Sequence, residues 1–249
     1  MTYQSETPGS GSIQFGRVYN RAFKALQDCP TPFLIVAALL VVAPEVLIAV
    51  MRQGAGADGP QVERMLNLLE NLTVGAIGQG ALIYAALQVM AKGRVSAAES
   101  FSAGVRLWGP VLGINILAGL GALLGLILLI VPGVFLAVAW SMALPIRIAG
   151  QPGVGAALEK SFELTRGSRW MIFAIWLVLM VVAIVVFGVI GVLAGVVTGA
   201  ESPVIDVIII PLLAGAGGIA AALLYASIYE DLVLATGKGN AIRTADVFD

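Results

Sequence analysis

The 249-residue chain predicts an all-α, polytopic membrane protein with six transmembrane helices, and three observations lead there. Hydrophobic residues make up 59% of it and charged residues 12%, with mean hydropathy +0.97, whereas a soluble domain is about a quarter charged. Six stretches reach the roughly 20 apolar residues that a bilayer core of about 30 Å requires. Cations gather in alternate connections between those stretches, as the positive-inside rule demands of a spanning protein.

The predicted spans run from Pro32 to Met51, Leu72 to Met90, Pro110 to Val131, Gly133 to Ile148, Trp170 to Val197 and Val204 to Ser227. Spans one and two are separated by a polar stretch from Arg52 to Asn71. Spans three and four are joined only by Val131-Pro132-Gly133, where proline stops one helix and glycine lets the chain reverse, so they form an antiparallel hairpin. Arg17, Arg21, Lys24, Lys92, Arg94, Arg106, Arg147, Lys160, Arg166, Arg169, Lys238 and Arg243 all fall on one side of this arrangement. Only Arg52 and Arg64 fall on the other, which places both termini in the cytoplasm. Trp108, Trp170, Tyr225 and Tyr229 then lie at the inner interface as an aromatic belt.

Each segment leading into an odd-numbered span carries amphipathic periodicity and predicts an interfacial helix, over 15–28, 95–107 and 154–166. In the first, Phe15, Val18, Tyr19, Ala22, Phe23 and Leu26 share one face while Arg17, Asn20, Arg21, Lys24 and Gln27 hold the other. Phe101 and Phe162 mark the apolar faces of the second and third. The triplets Arg21-Ala22-Phe23, Glu99-Ser100-Phe101 and Lys160-Ser161-Phe162 recur at the same place in each, which reads as three repeats of an amphipathic helix plus a transmembrane hairpin. Short amphipathic linkers that merely look alike are the alternative. The chain is one integral membrane domain over 1–249, with a flexible N-terminus at 1–14 and a cytoplasmic tail at 237–249. Met1 to Gly11 lacks the basic and apolar regions of a cleavable signal peptide, so the first span is expected to direct insertion.

Glycine spacing predicts close helix packing in span five (Gly191, Gly195, Gly199), span three (Gly121, Gly125) and span six (Ala214 to Gly218). With no histidine and a single cysteine, Cys29, the chain has no Ser/His/Asp or Cys/His nucleophile system, no histidine-ligated metal and no intrachain disulfide. Net charge is −1 with no basic tail, which sets nucleic acid aside.

The run Val131-Pro132-Gly133-Val134-Phe135-Leu136-Ala137-Val138-Ala139-Trp140-Ser141, then Ala143-Leu144-Pro145, then Ala157 through Gly167, resembles the membrane domain of glycerophosphoryl diester phosphodiesterases and related stand-alone bacterial inner-membrane proteins. Phe15-Gly16-Arg17-Val18 through Phe23 and Leu224-Tyr225 through Asp231 are similar to that family's two ends. The resemblance implies a six-helix membrane domain. It does not carry over the phosphodiesterase activity, whose TIM-barrel domain needs histidines and about 250 further residues.

Glu45, after Pro44 inside span one, is the candidate intramembrane polar group, with Gln79 and Tyr84 of span two and Asn115 of span three as its candidate partners. Two readings stand for it: a buried site at bilayer depth, or a helix broken at Pro44 that leaves Glu45 near the outer interface. Arg147 is expected to reach the cytoplasmic headgroups, Asp206 to be solvated at the outer surface, and Glu230-Asp231 to mark a helix end. No catalytic residue, metal ligand or cofactor is expected. The function this predicts is a non-enzymatic protein of the bacterial cytoplasmic membrane, in envelope homeostasis, membrane organisation or as the membrane subunit of an assembly. A transporter or flippase for a lipid or hydrophobic solute is the alternative. Membrane lipids, a protein partner or further copies of the chain are the expected partners.

Overall fold

Residues 13–54, 59–199 and 202–235 are described in the computed structural model, and nearly all of them are helical, with no strand among them. The helices are α1 (Phe15–Asp28), α2 (Pro30–Ala37), α3 (Ala43–Gly54), α4 (Gly59–Glu70), α5 (Ala76–Lys92), α6 (Ala97–Leu128), α7 (Ile130–Trp140), α8 (Ala143–Gly150), α9 (Val154–Leu164), α10 (Arg169–Thr198) and α11 (Ile210–Ala235). Six helical runs are long and apolar enough to cross a bilayer: Pro30–Met51, Arg64–Lys92, Ala97–Leu128, Ile130–Gly150, Arg169–Thr198 and Ile205–Ala235. The expected N-terminal segment 1–14, apart from its last two residues, and the tail 237–249 lie outside the described residues.

Proline shapes these runs without ending them. Pro44 and Pro211 each follow a π-helical turn, Ala38–Val42 and Ile205–Ile209. A proline ring clashes with the carbonyl one turn back and donates nothing to it; widening the preceding turn relieves both problems. The helix therefore continues past Pro44 to Met51, and no break occurs there. Between spans three and four the reversal is at Leu129, the one extended residue, and not at Val131-Pro132-Gly133. Pro132 sits in the first turn of α7, where its missing N–H would be unpaired anyway. Gly133 serves the hairpin by contact: a Cβ on Gly125 would meet its Cα at 2.7 Å.

The polar stretch between spans one and two is mostly helix, with α3 reaching Gly54 and α4 starting at Gly59. A third π-helical turn, Asn71–Gly75, joins α4 to α5, and the Thr73 hydroxyl bonds back to the Leu69 carbonyl there.

Helix α5 is the centre. It packs against α2, α6, α8 and α11, and Ala81, Leu82, Ile83, Ala85, Ala86 and Leu87 are buried on every side of it. Small residues permit this. A Cβ on Gly104 of α6 would lie 2.5 Å from the Ile77 carbonyl oxygen, and one on Gly78 would lie 3.1 Å from that of Leu40. The segment 95–107 is consequently not a separate interfacial helix. Ser96 and Glu99 close a capping box, Ser96 Oγ accepting from Glu99 N and Ser96 N donating to Glu99 Oε2, each at 3.1 Å. From there one helix runs through Pro110 to Leu128, laying Ser100, Ala103, Gly104 and Leu107 against α5. Trp108 follows, donating from Nε1 to the Leu72 carbonyl at 2.8 Å. Leu72 is 20 residues, about 30 Å of helix, from Lys92, so Trp108 is not level with the Lys92 end as a belt residue would be.

Span five behaves differently. Only Ile172 and Ile175 of α10 are buried, and a Cβ on Gly191 would meet no atom within 4 Å. Gly199 is the cap that ends α10, at φ 92. The glycine spacing thus marks tight contacts in the three–four hairpin and in span six, where a Gly215 Cβ would meet Val42 at 2.7 Å, whereas a Cβ on Gly188 or Gly191 of span five would meet nothing within 4 Å among the described residues.

These contrasts set a stability test. Gly104→Ala should cost about 1–3 kcal/mol, because overpacking forces backbone apart, whereas Gly191→Ala should change stability by at most about 1 kcal/mol, in the stabilising direction. Thermal unfolding of the two variants in one detergent reads the difference.

Candidate functional site

The four predicted polar residues do not converge. Asn115 Nδ2 donates to Gln79 Oε1 at 2.7 Å, joining spans two and three. Tyr84 pairs instead with Gln88, within the electrostatic reach of Glu99 and Arg106. Glu45 is half-buried in the first turn of α3, with no hydrogen bond or ion pair among the described residues. Its helix packs against the Ile205–Ile209 turn, at the end of span six that carries the exposed Asp206. Three residues before Glu45, Val42 touches Gly215.

The amide pair opens on a groove of about 420 Å³ lined by Asn71, Leu72, Gly75, Ala76, Gln79, Leu112, Asn115 and Ile116. Its geometry follows from the helices already described. The groove lies beside the π-helical turn at Asn71–Gly75, next to the close contact of α6 with α5 at Gly104. An exposed amide pair can bond a further polar group on a neighbouring helix or ligand, but it supplies no nucleophile, acid or base.

A stronger polar cluster lies where α1 meets α11. Asp231 is fully buried, and Arg17 pairs with both its oxygens, Nε against Oδ1 and Nη2 to Oδ2 at 3.1 Å. Arg21 Nη1 lies 3.6 Å from Oδ1, and the Gln14 backbone N–H donates to Oδ2 at 3.2 Å. One helical turn earlier, Ser227 Oγ donates to the Val18 carbonyl at 2.7 Å. Tyr19 donates to the Ile175 carbonyl of α10 at 2.9 Å, and burial raises its phenol above the usual range.

The Glu230-Asp231 pair therefore does not mark a helix end: α11 continues to Ala235, and Asp231 is the anchor of the N-terminal helix. Arg17 and Arg21, assigned to the outward polar face, turn inward for the same reason. Periodicity alone could not find this, because the partners are more than 200 residues apart. The buried stripe of α1, Val18, Ala22 and Ala25, is rotated by roughly 60° from its apolar stripe at 100° per residue. That rotation leaves Phe15 and Phe23 exposed, the latter at 62%.

Helix α9 is held in a similar way. Ser161 Oγ donates to the Ala139 carbonyl at 2.7 Å and accepts from Met142 N, and Thr165 reaches the same carbonyl. These bonds answer the backbone interrupted between α7 and α8. Arg169 lies over the rings of Phe135 and Phe162, at 4.4 and 4.2 Å from their centroids.

The fold and these clusters define a multi-pass α-helical membrane protein. Among the described residues no three of Asp, Glu, His and Cys stand where they could share a metal ion. No protein-family model, curated protein or solved structure matches the chain.

If Asp231 anchors α1, Asp231→Asn should leave two arginines partly buried without a counter-charge, lowering stability by on the order of 3 kcal/mol. Trypsin should then cut at Lys24 at protein-to-enzyme ratios that leave the parent intact. Equal protection of both chains would remove the anchoring role.

Proposed function

We propose that this chain is a non-enzymatic protein of the bacterial cytoplasmic membrane, with both termini inside, that works by organising the membrane or by serving as the membrane subunit of an assembly in the envelope. The observation that carries this reading is the filled centre: α5 is enclosed by four helices at contact distance, and Glu45, the one acid within span one, does not line the groove at Gln79 and Asn115. The resemblance to the membrane domain of glycerophosphoryl diester phosphodiesterases supports a membrane part without the phosphodiesterase chemistry.

The amphipathic segments support a surface role. In all three triplets the small middle residue, Ala22, Ser100 or Ser161, is buried, and the phenylalanine beside it is exposed. This shared division favours a repeated unit over linkers that look alike. For α1 and α9 it presents Phe15, Phe23 and Phe162, next to Lys24 and Lys160, to the inner leaflet, a combination suited to an anionic interface. The outward, barely packed face of α10 is the surface most open to a partner helix or a further copy.

Transport or flipping of a lipid keeps one observation in its favour, the groove at Gln79 and Asn115. Extraction into lipid nanodiscs without detergent, followed by mass spectrometry of what co-purifies, separates the two. A protein partner or self-association at fixed stoichiometry supports the assembly reading; a lone monomer that scrambles labelled lipid in proteoliposomes, with loss of scrambling in Asn115→Leu, refutes it.

Topology has its own check. In a Cys29→Ser background, cysteines at Ser96 and Gly155 should be shielded from an impermeant thiol reagent in intact cells, and one at Ser202 should be labelled. Labelling at Gly155 would invert the orientation.

A further inference from the structure

The groove beside the Asn71–Gly75 turn sets amides among apolar walls and carries no charge: none of its eight lining residues is Asp, Glu, Lys or Arg. The bond from Asn115 Nδ2 to Gln79 Oε1 is the only hydrogen bond of either side chain among the described residues. An amide has two N–H donors and two acceptor lone pairs. The pair therefore keeps both donors of Gln79 Nε2 and the acceptor Asn115 Oδ1 for a further partner. Asn115 is exposed and Gln79 half-buried, and both line the groove, so a ligand lying in it can reach them.

Depth decides what that ligand is. Leu72 stands about 30 Å of helix from Lys92, the thickness of a bilayer core, and Gln79 lies about 10 Å of helix back into that core from Leu72. Acyl chains offer the amides no hydrogen bond there, so a polar group that reaches them is held. A phosphate or ammonium head at that depth would leave its hydration behind and find no counter-charge in the groove. An uncharged hydroxyl or ester gives up far less. Its O–H can donate to Asn115 Oδ1 and its carbonyl can accept from Gln79 Nε2.

Size favours a lipid head over a partner helix. The volume of about 420 Å³ falls in the range of small-ligand sites. Along span two the lining extends only from Asn71 to Gln79, about 12 Å of helix, which is short for a spanning helix and sufficient for a glycerol head with the first carbons of its chains. We propose that this groove binds the head of an uncharged glycerolipid with a free hydroxyl, a diacylglycerol, whose chains continue into the bilayer. Binding requires no movement of the lipid across the membrane, so the site stands whether the protein organises the membrane or moves a lipid, and its test does not measure transport.

The test uses the full chain in phosphatidylcholine nanodiscs with a dioleoylglycerol that carries a diazirine near the ester end of one chain. Photolysis should label peptides containing residues 71–79 or 112–116. Unlabelled dioleoylglycerol should compete the labelling away, whereas phosphatidylglycerol and hexadecane at the same mole fraction should leave it. Asn115→Leu, which removes the amide, should raise the half-saturating mole fraction at least tenfold. Ile116→Trp should do the same by filling the groove from an exposed position with both amides intact, and it carries the comparison if the leucine variant fails to fold. The proposal is overturned if the label falls elsewhere, if phosphatidylglycerol or hexadecane competes as well as dioleoylglycerol, or if both variants bind like the parent.

Discussion

Lipid tails are as good an apolar neighbour as another helix, so a bundle in a bilayer is held by how closely its backbones approach and by polar contacts between helices. Around α5 that approach is set by glycine and alanine. Gly104 rides over the Ile77 carbonyl, Gly78 meets Leu40, and Ala85 and Ala86 are fully buried on the helix that α8 and α11 also pack against. Moving α5 outward by the width of one methyl group would separate spans one, three, four and six together. The π-helical turns serve the same packing. They let Pro44 and Pro211 stay inside long helices, and they keep Val42 of span one against Gly215 of span six.

Charge performs at the α1–α11 junction what small residues perform at the centre. A fully buried carboxylate is unfavourable unless it is paired and hydrogen-bonded. Asp231 has two guanidinium partners and one backbone N–H, so the N-terminal helix cannot leave span six without exposing a mismatch. Cys29 alone separates α1 from α2, so the same contact also fixes where span one enters the bundle. The aromatic edge of α1 is left outside, where an interface helix needs it.

Helix α10 is the counterexample within the same molecule. It is the most apolar span and the least packed, with the Trp176 ring tilted against Tyr225 and Phe187 near Gly217 among its ties to span six. Its glycines resemble those of the three–four hairpin in spacing, yet among the described residues a Cβ on Gly188 or Gly191 would meet no atom within 4 Å. Spacing shows that close approach is permitted; a partner backbone decides whether it happens.

The number and approximate limits of the spans were legible because bilayer thickness imposes a length of apolar helix that composition displays directly. The hairpin of spans three and four was legible for the same reason, since one short break between two apolar runs leaves no other geometry, although its turn fell at Leu129 and not at Pro132. The amphipathic character of α1 is a local pattern that sequence also exposes, although the face it buries is turned from the apolar stripe. Gln79 and Asn115 could be named as intramembrane polar residues, but that they meet each other, and not Glu45 or Tyr84, depends on the rotation of α5 and α6 about their axes. Asp231 with Arg17 depends on a contact between distant segments. Hydropathy measures each segment against lipid, one helix at a time. Which polar group faces which is settled only when the helices pack, because rotation and register are set by contact between backbones.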